Sequence, residues 1–298
     1  MIGYLYLTLS SFCVAILSIL RKKYEKYNGN NMLSTLLFVF LYSIIVSGFA
    51  FLISDVKYSF DFLTLILSIL LAISVASTTI ICIIGVEYGP VSVLVLFATM
   101  GSISISSFYS LIFDGKLDDI NIFNIIGFLI IAFIIVLNFI SSEKNKKSRL
   151  KFSFLCFIVF FTNGLALLYF SLFTRYRPLV GNSNFLGTYS LLTALLSIII
   201  FLILYLLKKK KKNITEKAII NKKSYWCIFL YALTSLISEL VGLKCTTILP
   251  LYIQAPLSFS LPVIFTIVLD AIFFKVKIDL MNIIKILLAI SASVMFVI

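Results

Sequence analysis

The chain has 298 residues, 61% of them hydrophobic and 12% charged, about half the charge fraction of an ordinary soluble domain. Surface grows too fast with size for a water-soluble fold to hide so many Phe, Leu and Ile side chains, so lipid is the solvent this composition fits. The net charge of +13 falls as lysines between apolar blocks, which excludes a solvated nucleic-acid face, and the absence of His removes the commonest general base and metal ligand.

A spanning helix needs about 20 mostly apolar residues. Stretches of that kind predict ten transmembrane helices, near 2–20, 32–53, 62–86, 90–113, 120–141, 152–174, 184–207, 225–246, 248–272 and 279–297. The run from Met1 to Leu20 meets Arg21-Lys22-Lys23 with no small-residue cleavage site, so it is expected to be the first span and not a cleaved leader. Short connections follow, marked by Gly29-Asn30-Asn31, Asp55, Asp114-Gly115, Ser141-Ser142-Glu143 and Gly181-Asn182. The longest, from Lys208 to Ser224, is too short and too polar to be a separate domain. Its opening lysines, Lys208, Lys209, Lys210, Lys211 and Lys212, suit anionic lipid headgroups. Cys13, Cys82, Cys156, Cys227 and Cys245 lie in or beside apolar blocks without CxxC spacing, which favours small packing residues over disulfides or zinc.

Odd-to-even connections hold Arg21 to Lys26, Lys144 to Lys151, Lys208 to Lys223, Lys275 and Lys277. The other face holds only Lys57, Lys116, Arg175, Arg177 and Lys244, so the first face is expected to be cytoplasmic and both termini to point outward. The halves 1–142 and 143–298 resemble one another: Gly85-Val86-Glu87-Tyr88 and Gly242-Leu243-Lys244-Cys245 each close a long apolar run, and each is followed by two further apolar helices. Five helices is an odd number, so a second copy must lie upside down, as in inverted-repeat transporters with a midplane site.

With these features the chain resembles the drug/metabolite transporter superfamily, of the ten-helix type built from two EamA-like halves. The resemblance rests on the five-plus-five arrangement, on Gly85-Val86-Glu87-Tyr88-Gly89-Pro90 and Gly242-Leu243-Lys244-Cys245 closing helices three and eight, and on Leu261-Pro262-Val263 in helix nine. Helix four departs from the family pattern, showing Met100-Gly101-Ser102 where a proline is usual, and Asp114-Gly115-Lys116 replaces a closing Gly-Glu pair. The resemblance implies a carrier for a small metabolite in the bacterial cytoplasmic membrane, as a monomer or homodimer and without a cofactor.

Ionisable groups inside a bilayer are costly, and Glu239, between Leu236-Ile237-Ser238 and Leu240-Val241-Gly242, is the foremost one here. It either faces a central site, binding a cationic cargo or cycling a proton, or pairs with Lys244, about 7 Å further along the axis. Asn163 beside Gly164 offers a buried amide to cargo or to a neighbouring helix. Gln254-Ala255-Pro256 is expected to break helix nine and free carbonyl groups. Tyr169, Tyr252 and Tyr88 could form an aromatic cage for an ammonium group, or anchor at the interface. Asp114, Asp118, Asp119 and Asp270 read as interfacial, and Gly48, Gly101, Gly127 and Gly164 as points of close helix contact.

Among function classes, an intramembrane enzyme lacks HExxH, GxSxG or a mid-helix Asp pair, and no GxxxxGK[ST] loop exists for nucleotide. The expectation is a secondary transporter of an amino acid, amine or similar metabolite, working by alternating access with a proton or the cargo gradient as driving force. The alternative is a non-transporting subunit or lipid-handling protein.

Overall fold

The computed structural model describes residues 2–29, 31–54, 61–113, 122–140, 146–176, 181–210, 220–248, 251–275 and 280–295. Every regular element in them is helical: α1 Ile2–Asn28, α2 Met32–Ile53, α3 Phe62–Gly85, α4 Val91–Phe113, α5 Ile122–Ile140, α6 Lys146–Tyr176, α7 Asn182–Lys210, α8 Lys222–Ile248, α9 Leu251–Phe274 and α10 Leu280–Met295. Within these, α1, α2, α3, α6, α7 and α8 are long and apolar enough to cross a membrane, as expected of a multi-pass membrane protein.

Local chemistry explains the helix ends. Gly29, at a φ of 66°, donates its N–H to the Glu25 carbonyl at 2.7 Å, closing α1 in the left-handed geometry that glycine tolerates. Two residues later the Asn31 side chain accepts from the Leu33 N–H at 2.9 Å and starts α2. Pro90, placed just before α4, needs no donor there, and its carbonyl receives the Val93 N–H at 3.2 Å.

Two sequence expectations are corrected. The basic cluster Arg21 to Lys26 is not a connection: no breaker stands before Gly29, so α1 runs eight residues beyond residue 20. Helix α9 likewise runs unbroken from Leu251 through Pro256 to Phe274, so Gln254-Ala255-Pro256 lies inside its first two turns and not at a break.

Helices α1 and α8 lie antiparallel along their whole length. Cys245 meets the Gly3 carbonyl, Ser10 donates to the Ser238 carbonyl at 3.1 Å, and Asn28 donates to the Ser224 hydroxyl at 2.7 Å. Helices α2 and α7 are joined by Ser47 donating to the Gly187 carbonyl at 2.9 Å, α3 and α6 by Thr78 donating to Thr162 at 2.8 Å. Many remaining hydroxyls, among them Ser18, Ser68, Thr193, Ser197 and Thr266, donate to the carbonyl four residues back, which satisfies them without water. One apolar cluster sits among α1, α2, α3, α6, α7 and α8, and a second among α3, α4, α5, α6, α9 and α10.

Candidate functional site

Glu239 projects from the middle of α8. Its carboxylate accepts a hydrogen bond from the Tyr189 hydroxyl of α7 and another from Ser235, one turn back, at 3.0 Å. The helical spacing puts Tyr231, Ser235 and Glu239 on one face of α8. Lys244, the alternative partner, is exposed, and Glu239 is held by hydroxyls.

The same α8 face carries a second charge towards its other end. Arg21 of α1 donates to the Tyr231 hydroxyl from Nε at 2.9 Å and from Nη2 at 2.5 Å, and its guanidinium lies 5.3 Å from the centre of that ring. Tyr42 of α2 packs on Tyr231 with ring centroids 4.8 Å apart, and its hydroxyl lies 3.4 Å from Thr79 of α3. The Cys82 thiol of α3 faces the same guanidinium, and Tyr42, Tyr189 and Tyr231 belong to one buried cluster. A belt of tyrosines thus connects a carboxylate and a guanidinium across α1, α2, α3, α7 and α8.

Four of these groups escape sequence reasoning. Arg21 was assigned to a loop, and Tyr42, Tyr189 and Tyr231 are three among 15 tyrosines. A signal for Arg21 did exist: Leu17, Arg21 and Tyr24 share one helical face, and both flanking members are buried.

The other candidates are dispersed. Asn163 lies on the α4–α6 seam, donating to the Ala98 carbonyl at 2.9 Å and to the Ser102 hydroxyl at 2.7 Å. Tyr169, also on α6, packs at the margin of the cluster that contains Tyr42, Tyr189 and Tyr231. Tyr252 and Gln254 fall on α9, but their side chains lie outside the described residues. Lys208, Lys209 and Lys210 end α7, while Lys211 and Lys212 lie outside the described residues. We expect Asn163→Ala to cost about 1 kcal/mol, since interhelical polar bonds in membranes are individually modest; thermal unfolding in detergent measures it.

Asp270 corrects another expectation. Read as interfacial, it proves to be buried in the protein and paired: Lys22 of α1 reaches it at 2.9 Å while stacking 4.2 Å from the Phe274 ring centre. Neutralising one partner leaves a largely desolvated charge behind, so Asp270→Asn is expected to destabilise by about 3 kcal/mol. The double variant Lys22→Met/Asp270→Leu should recover much of that loss in the same unfolding assay. Equal instability in single and double variants would mean that the pair does not account for the effect.

In sequence the chain matches no family model and no curated protein. In structure it is similar to the crystal structure of a protein that is 13% identical, with a TM-score of 0.61 over 97% of this chain and 96% of that one. At that identity the likeness establishes a shared fold over nearly the full length of both chains, and nothing about activity.

Proposed function

We propose that the protein is a secondary transporter of the drug/metabolite type, in which two inverted five-helix halves rock about a central site to carry a small metabolite such as an amino acid or amine. The observation that carries the proposal is Glu239: a carboxylate within a spanning helix, satisfied by Tyr189 and Ser235, at a junction of α7 and α8. A group so costly to place in a bilayer marks a solute or proton path.

The packing pattern supports two related halves. Exchanging α1–α5 with α6–α10 turns the α1–α8 contact into α6–α3, α1–α9 into α6–α4 and α2–α8 into α7–α3, all of which occur, while α2–α7, α4–α9 and α5–α10 map onto themselves. Opposed halves that share these seams suit a rocking motion. The contacts Asn28–Ser224, Lys22–Asp270 and Lys151 over the Tyr88 ring, at 5.8 Å, gather the basic segments at one end of the bundle, as the charge bias requires.

The test is thermal unfolding of the detergent-purified chain against amino acids, amines, nucleobases and sugars, followed by uptake of any protecting compound into proteoliposomes. A compound at about 100 times its dissociation constant adds roughly 2.7 kcal/mol of stability. Protection without uptake would favour a lipid-handling or subunit role, and neither protection nor uptake would remove the transporter proposal.

A further inference from the structure

Resting on the transporter proposal, we infer that Arg21 is an oxyanion subsite, so that the cargo carries a carboxylate or phosphate group which this guanidinium binds beside Tyr231. Arginine remains charged in proteins, and an ionised group away from water needs an opposite charge or a full set of hydrogen bonds. Among the described residues, no carboxylate lies within ion-pair distance of Arg21. Its surroundings are two phenols and a thiol, and the Tyr231 hydroxyl takes only the Nε and Nη2 donors.

Position argues against a headgroup anchor. Arg21 lies seven residues inside the Asn28 end of α1, about 10 Å along the axis, and turns towards α8 instead of outward. The next residue, Lys22, has its own carboxylate in Asp270, so the described residues supply a counter-charge to one of two adjacent cations and not to the other. Tyr42, Tyr231 and Cys82 are sealed to 6% exposure or less, whereas Arg21 itself stays partly open. A rigid wall around a partly open guanidinium is the arrangement that a planar, bidentate oxyanion fits.

Glu239 is a separate subsite. Tyr231, which holds Arg21, precedes Glu239 by eight residues, about 12 Å along α8. A cargo with one charged group engages one end of this face, and an extended zwitterion could engage both.

The experiment uses the full purified chain with three probes that share a branched skeleton and differ in charge, leucine, 3-methylbutylamine and 4-methylpentanoate, and with inorganic phosphate. Protection against thermal unfolding and proteoliposome uptake are both read. Expected is protection of the parent by at least one oxyanion probe, with 3-methylbutylamine weaker than leucine. That affinity should fall at least 10-fold in Arg21→Gln and persist in part in Arg21→Lys. Gly48→Ala, where nothing lies within 4 Å of a Cβ, should keep the response to the oxyanion probe. Should Arg21→Gln fail to fold, Arg21→Lys decides, weakening oxyanion binding while keeping a cation in place. The inference is overturned if no oxyanion probe protects the parent, or if Arg21→Gln responds as the parent does. In either case, uptake of an amine or neutral cargo would leave the transporter proposal standing. Discrimination between leucine or 4-methylpentanoate and phosphate identifies which oxyanion the site takes.

Discussion

Glu239→Gln is expected to lower uptake of a cationic or zwitterionic cargo about 100-fold while leaving the protein folded. Glutamine keeps the size of the side chain and a carbonyl oxygen able to accept the Tyr189 hydroxyl or the Ser235 hydroxyl, so the α7–α8 junction retains its geometry. What disappears is the negative charge. A hydrogen bond to a charged group contributes about 1.5–3 kcal/mol, and the upper part of that range corresponds to about 100-fold in affinity. Stability should therefore change by less than about 1 kcal/mol while uptake collapses. A variant that loses stability and uptake in proportion would assign Glu239 a packing role, and an unchanged rate would remove it from the site.

The largest expected loss of stability lies elsewhere, at the seam of α4 and α6. A Cβ at Gly101 would stand 1.8 Å from the Phe160 carbonyl oxygen and 2.6 Å from its carbon, and one at Gly164 would stand 2.5 Å from the Gly101 oxygen. These obstacles are backbone atoms, so no side chain can rotate away and the two helices must separate. Separation also strains the Asn163 bonds to Ala98 and Ser102 across the same seam. Gly101→Ala should cost about 3 kcal/mol or more and lower the unfolding midpoint by roughly 10 °C. Gly48 is the internal control: nothing lies within 4 Å of a Cβ built there, and alanine suits a helix better, so Gly48→Ala should be neutral or slightly stabilising. Similar midpoints for both variants would show that α4 and α6 are less tightly apposed than this.

Legibility differed from residue to residue. Glu239 could be found because a lone carboxylate inside an apolar run needs no structure to be conspicuous. Gly101 and Gly164 are expected at close helix contacts, and they meet the backbones of Phe160 and Gly101. Asp270 was misjudged because its partner, Lys22, is 248 residues away and no local pattern announces it. Arg21 was misplaced for a different reason: a basic cluster after an apolar run reads as the end of a span, but helix termination needs a breaker, and the first one is Gly29.

By itself the sequence determined the lipid-compatible composition, the approximate places of the described helices, and the bias of basic residues, because each follows from short-range hydropathy and charge. The tertiary structure decided which helices touch. That choice rests on small-residue seams such as Gly101 with Gly164 and on hydroxyl bridges such as Ser10 with Ser238, whose partners lie far apart in the chain. It also turned Arg21 and Glu239 inward onto a shared tyrosine belt. In lipid, apolar surface does not distinguish one helix face from another, so close packing and polar pairing select the inward face.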